Sequence, residues 1–312
     1  MAELTHTMDY MQLLPRDAIA AVSRLELLAR GTVEGFVSGR HRSPHKGFSA
    51  EFAEHRQYVS GDDLRDLDWC VWGKTDRYYI KQYVEETNLR ATVLLDASGS
   101  MRYAGENASI VNGRRVSKFE YARFVAAALT YLLISQQDAV GLVTFDTKIR
   151  RYLPARSRRS QVRRILEELA GTSPAGETGV AGIFHDIAER IHRRGMVIII
   201  SDLFDSAEEI LKALHHFRYR KHEVMVCHVM ADEELGFPFS SFTHFRDLEQ
   251  VHDTVEIDPE MVRSNYLDRV REFIDTIEAG CGQLKADYVP MNTKQSFEST
   301  LGDYLVKRRN LR

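Results

Sequence analysis

The stretch Ala91-Thr92-Val93-Leu94-Leu95-Asp96 runs directly into Ala97-Ser98-Gly99-Ser100-Met101, and its reading decides the fold. Residues 93–95 are apolar at successive positions, so neither face is polar. That is the pattern of a strand covered on both sides, as in parallel sheets. The same rhythm recurs downstream. Ser117–Gln136 opens with a Ser117/Glu120 capping box and is apolar almost all round from Phe124 to Ile134, which predicts a helix buried against a sheet. Further strands are expected at Ala139–Phe145, Lys148–Leu153 (a hairpin return), Met196–Ser201, Glu223–Val229 and Ala286–Val289. Helices are expected at Arg158–Ala170, Val180–Arg194, Ala207–Tyr219, Pro259–Ala279 and Gln295–Arg308. Strands alternating with long helices imply parallel pairing through right-handed crossovers. The expected fold is α/β: a doubly wound, mostly parallel sheet over residues 89–312, with an irregular insertion at 231–257.

Residues 1–88 break this rhythm and read as an N-terminal accessory module. It combines an amphipathic helix at Asp17–Arg30, a polar stretch at Gly31–Gly47 and strand content within Phe48–Glu86. With 312 residues, 44% of them hydrophobic, the chain is long enough to bury a large core. A formal charge of −3 removes the global positive excess that marks nucleic-acid and membrane-surface proteins. Cys70, Cys227 and Cys281 match neither a disulfide framework nor a zinc spacing, which points to a reducing compartment. The first thirty residues carry Glu3, Asp9, Asp17 and Glu26 and no apolar signal core. The longest apolar stretch, Val125–Ile134, is too short to span a hydrocarbon layer of ~30 Å. A cytoplasmic protein without membrane contact is expected.

Doubly wound sheets bind ligands beyond the carboxyl ends of their strands. Asp96, Ser98 and Ser100 sit there at alternate positions, with Gly99 allowing a tight turn. One carboxylate and two hydroxyls suit a hard cation, Mg²⁺ first, with Mn²⁺ or Ca²⁺ as substitutes. Neutral hydroxyl ligands leave such an ion electrophilic and open to an outside carboxylate. Asp202, ending the Met196–Ser201 strand, and Thr178, in Gly176-Glu177-Thr178-Gly179, are placed to add donors. Thr178 also suits a helix N-cap, and Thr172 is its rival in the same loop.

The combination Asp96, Ser98, Ser100, Thr178 and Asp202 resembles the metal-ion-dependent adhesion site of von Willebrand factor A domains. The blocks Gly61-Asp62-Asp63-Leu64-Arg65, Asp68-Trp69 and Thr75-Asp76-Arg77-Tyr78 resemble a bacterial family catalogued as domain of unknown function fifty-eight. So do Val140–Asp146, Ser201–Asp205 and Asp247-Leu248-Glu249, and the likeness covers residues 31–308. Trp72-Gly73-Lys74 departs from the family pattern, which has a small residue and Arg before Thr75. The resemblance implies a von Willebrand A-like fold and a non-enzymatic adaptor that binds an acidic side chain of a partner through metal. It also implies partnership with MoxR-type AAA+ ATPases in assembly or maturation of other proteins. No catalytic residues come with it.

Lys148–Arg164 carries eight basic residues and no acid. It reads first as a solvated face, and second as a docking strip for a partner through Arg150, Arg151, Arg158 and Arg159. Tyr152 is its only aromatic residue, so base stacking with single strands is not suggested. Two rival functions remain as alternatives. One is a Mg²⁺-dependent phosphohydrolase with Asp96 as nucleophile, although Ser98 stands where such sites carry an acid. The other is RNA binding on a von Willebrand A-like platform.

Overall fold

The structure is a computed structural model that describes residues 50–59, 67–85, 89–111, 113–177, 179–240, 242–249 and 254–310. The described residues divide between two units at Asn88/Leu89. The expected helix at Asp17–Arg30 and the polar stretch at Gly31–Gly47 lie outside the described residues.

In the smaller unit β1 (Ala50–Gln57), α1 (Trp69–Thr75) and β2 (Tyr79–Glu85) follow in order. β1 and β2 pair antiparallel. Asp68 caps α1, its Oδ1 accepting from the amides of Cys70 at 2.9 Å and Val71 at 3.3 Å. Asp76, at φ 54°, closes the helix in the left-handed region. The last aspartate of the Gly61–Asp68 block is therefore a helix cap.

The larger unit runs β3 (Arg90–Asp96), a small β4 (Ile110–Val111) and β5 (Arg114–Arg115) ribbon, α2 (Lys118–Ser135), β6 (Ala139–Phe145), β7 (Ile149–Arg156), α3 (Ser160–Gly171) and α4 (Val180–Arg190). It continues with β8 (Met196–Ser201), α5 (Ala207–Tyr219), β9 (Glu223–Met230), α6 (Asp232–Gly236), the β10 (Thr243–Arg246) and β11 (Thr254–Ile257) hairpin, α7 (Pro259–Gln283), β12 (Asp287–Asn292) and α8 (Phe297–Asn310). The six-stranded sheet has the order β12-β9-β8-β3-β6-β7. Every pair in it is parallel except β6 with β7, the hairpin return. The fold is thus mixed α/β around a mostly parallel sheet, with the Asp96 strand at its centre between β6 and β8.

Period-two alternation sends Leu94, Val143 and Phe145 to one face, where Phe184 of α4, Phe217 of α5 and Ile277 of α7 meet them. On the other face α2 is buried along nearly its whole length, as its all-round apolar sequence requires. The predicted capping box is formed: the Ser117 hydroxyl accepts from the Glu120 amide at 3.1 Å and Glu120 accepts from the Ser117 amide at 2.9 Å. Phe124 of α2 stacks on Phe297 of α8 at 5.9 Å.

Three expectations are corrected. α4 stops at Arg190 instead of Arg194, because the Ile191 amide closes the last turn on the Ile187 carbonyl. α7 continues through Gly280 and Gly282 to Gln283. The insertion at 231–257 contains regular elements, α6 and the antiparallel β10–β11 pair. No helix among the described residues is long and apolar enough to cross a membrane.

Candidate functional site

Because β3 and β8 are parallel neighbours, with Leu95 in register with Ile200, their carboxyl ends place Asp96 and Asp202 together at one edge of the sheet. Asp96 is wholly buried. Its Oδ1 accepts from the Ser98 amide at 2.9 Å and its Oδ2 from the Ser201 hydroxyl at 2.5 Å. Ser98 Oγ lies 3.0 Å from Ser100 Oγ. The loop is also stapled to its neighbours. The amides of Ala97 and Gly99 donate to Phe145 and Gly176 carbonyls at 2.7 and 2.8 Å, and the Ala175 amide donates to the Ala97 carbonyl at 2.9 Å.

Burial, and after it the Asp202 carboxylate, push the Asp96 carboxyl up to about 7, against the pull of the Ser201 and Ser98 hydrogen bonds. Asp202 is balanced differently. Its Oδ2 meets Lys118 Nζ at 2.8 Å, and the same ammonium meets Glu234 Oε1 at 2.6 Å. Burial opposes the charge on Lys118, but the Asp202 and Glu234 carboxylates outweigh it and raise its pKa. Glu234 Oε2 in turn accepts from the Ala231 amide at 2.8 Å, which fixes α6 to the site. His228, on β9, supports Asp202 from behind. A carbonyl only accepts, so His228 Nε2 donates to the Asp202 backbone oxygen at 3.1 Å and Nδ1 accepts from the Tyr288 hydroxyl at 2.7 Å. Burial lowers the His228 pKa to about 4, overriding the Asp202 carboxylate, so the ring is neutral at pH 7.

Asp96, Ser98, Ser100 and Asp202 are therefore brought to one edge. Thr178 lies outside the described residues. The Thr172 hydroxyl donates to the Glu168 carbonyl at 2.8 Å, so it is spent on the end of α3. Lys118, Ser201, His228 and Glu234 were not singled out by sequence. Lys118, Ser201 and His228 meet partners that are distant in the chain.

The donor set fits a hard divalent cation. Asp202 has a cation beside it, whereas the buried Asp96 carboxylate, flanked by two hydroxyls, has its charge opposed by burial and by Asp202. A positive ion against Asp96, Ser98 and Ser100 would relieve that opposition. Among the described residues no group of three or more His, Cys, Asp or Glu side chains is set to hold a metal. Hydroxyls would have to complete the shell here.

The basic strip is less free than its sequence suggests. Arg150 Nε binds Asp146 Oδ2 at 2.6 Å, one Nη donates to the Ser173 carbonyl at 2.6 Å, and the other to the Ala175 carbonyl. Arg150 thus ties down the loop that staples the Asp96–Ser100 turn. Arg151 pairs with Glu168 at 3.0 Å and Arg163 with Glu167 at 2.8 Å. Arg158 and Arg159 are exposed at the start of α3.

A family model described as "Protein of unknown function DUF58" matches residues 54–273. Uncharacterized proteins of Mycobacterium tuberculosis and Mycobacterium bovis are 28% identical over 222 residues, covering 70% of this chain and 67% of theirs. Among solved structures, BatB from Bacteroides thetaiotaomicron is 18% identical with a TM-score of 0.47, over 72% of this chain and 100% of that one. An aerotolerance-related membrane protein from Bacteroides fragilis is 14% identical with a TM-score of 0.47 over the same shares.

Proposed function

The chain belongs to the DUF58 family of proteins of unknown function, and from that premise we propose that it is a non-enzymatic, Mg²⁺-dependent adaptor of von Willebrand A type. Its edge binds an acidic side chain of a protein partner. Asp96, Ser98 and Ser100 hold the cation, Asp202 adds charge from the neighbouring strand, and Thr178 completes the shell. The cation supplies electrophilic attraction for a carboxylate, because the hydroxyls among its protein ligands are neutral. The working partner is a MoxR-type AAA+ ATPase in the cytoplasm, and the product is an assembled or matured client protein.

The single observation that carries this reading is the burial of Asp96 beside Asp202 with the paired Ser98 and Ser100 hydroxyls at the same turn. The phosphohydrolase alternative needs Asp96 as a nucleophile. Full burial, with both oxygens already accepting hydrogen bonds, supports a holding role over an attacking one. The RNA alternative draws on the basic strip, whose Arg150 and Arg151 are engaged by Asp146 and Glu168.

The reading is tested with a purified MoxR-type ATPase immobilised on a support. The chain should be retained in Mg²⁺ and released by chelator, and the Ser98→Ala/Ser100→Ala double variant should not be retained. Retention indifferent to chelator would defeat the metal-dependent reading.

A further inference from the structure

Gly99 is enclosed on two sides. A Cβ at this position would stand 2.8 Å from the Gly176 carbonyl oxygen, 2.6 Å from the Leu248 carbonyl oxygen and 3.2 Å from Glu249 Cα. Its φ of −65° is open to any residue, so the glycine answers a demand for space. The insertion therefore lays Asp247-Leu248-Glu249 directly over the turn that carries Ser98 and Ser100. That roof is itself a defined turn, with Asp247 Oδ1 accepting from the Glu249 amide at 2.7 Å.

Two carboxylates arrive with the roof, and they differ. Asp247 is exposed and spends an oxygen on its own turn. Glu249 is half-buried, and its Cα is packed against the residue between the two hydroxyls. Its side chain starts beside the turn that carries Ser98 and Ser100. We propose that Glu249 is a further ligand of the cation site, an acidic side chain supplied in cis. This rests on the reading that Asp96, Ser98 and Ser100 hold a divalent cation. A hydroxyl-rich shell leaves such an ion short of anionic oxygen, and Glu249 provides it. A partner's carboxylate then competes with Glu249 for one coordination position at the edge that residues 247–249 cover.

The test titrates Mn²⁺ into the full chain, reading free ion by electron paramagnetic resonance and bound ion by water-proton relaxation. Glu249→Gln should weaken Mn²⁺ binding about ten-fold or more. It should also raise the relaxation per bound ion, because water replaces the carboxylate. Asp247→Asn keeps the turn acceptor and should change neither reading. Glu249→Asp keeps the charge and should recover part of the affinity, which separates a lost ligand from a disturbed fold. Wild-type affinity and relaxation in Glu249→Gln, with the ion lost in Asp96→Ala, overturns the cis ligand and leaves the cation site standing. Failure of the wild-type chain to bind Mn²⁺ overturns the cation site and the cis ligand together.

Discussion

Lys118 Nζ lies 2.8 Å from Asp202 Oδ2, joining the first turn of α2 to the end of β8 across 84 residues of sequence. Both side chains are 3% exposed, so the pair is formed away from water. Removing one member of such a pair leaves a buried charge uncompensated and costs about 3–5 kcal/mol. Lys118→Met strands Asp202, and the half-exposed Glu234 beside it. Urea unfolding should show a loss in that range, whereas a loss under about 1 kcal/mol would mean that Lys118 is not the counter-charge.

Arg150 and Arg158 share one basic strip but differ in setting, the first bound into a loop and the second exposed. Arg150→Lys keeps a charge near Asp146 but cannot reproduce the fork onto Ser173 and Ala175. It should cost about 1–3 kcal/mol and weaken divalent-cation binding, since the loop it holds staples the Asp96–Ser100 turn. Arg158→Ala, on an exposed residue, should stay within about 0.5 kcal/mol of wild type. Parallel thermal unfolding of the two variants checks this, and equal effects would contradict it.

Gly99→Ala places a methyl group against two backbone carbonyls that have no flexible end to move. Overpacking of this kind costs about 1–3 kcal/mol. The variant should displace either the 173–176 loop or the 247–249 turn, and amide exchange in those two segments should rise. Exchange unchanged in both would show that the roof does not rest on Gly99.

Asp138 gives the protein a pH dependence of stability. Its Oδ1 accepts from the Leu89 amide at 2.9 Å, and burial raises its carboxyl from 3.8 to about 6. The folded chain therefore holds a proton that the unfolded chain releases earlier. Stability falls as pH rises from about 4 to about 6 and is flat above, by up to about 3 kcal/mol from this group. Asp138→Asn keeps an acceptor for Leu89 and carries no charge. Urea unfolding should find it more stable than wild type at pH 7.5, with most of that advantage gone at pH 4.5. The same difference at both values would contradict the assignment.

The sheet was legible because Ala91–Asp96 and Met196–Ser201 are apolar on both faces, and only parallel central strands tolerate that. Asp96 and Asp202 followed from strand ends that parallel pairing must align. One helix boundary moved because a glycine had a second use. Gly280 looked like a helix stop, yet a Cβ there would come within 2.4 Å of Leu211 Cδ2, so it serves close packing of α7 on α5. Lys118 was invisible because both its partners are more than eighty residues away. Arg150 and Arg151 were read as free charge because Asp146 and Glu168 lie just outside the basic run.

The central claim is that Asp96, Ser98 and Ser100 hold a divalent cation. Calorimetric titration of Mg²⁺ into the wild-type chain and into Asp96→Ala, with circular dichroism confirming that both are folded, tests it most directly. Saturable binding at one site in the wild type and none in the folded variant is expected; no binding in the wild type, or equal binding in both, would contradict a cation held by Asp96, Ser98 and Ser100.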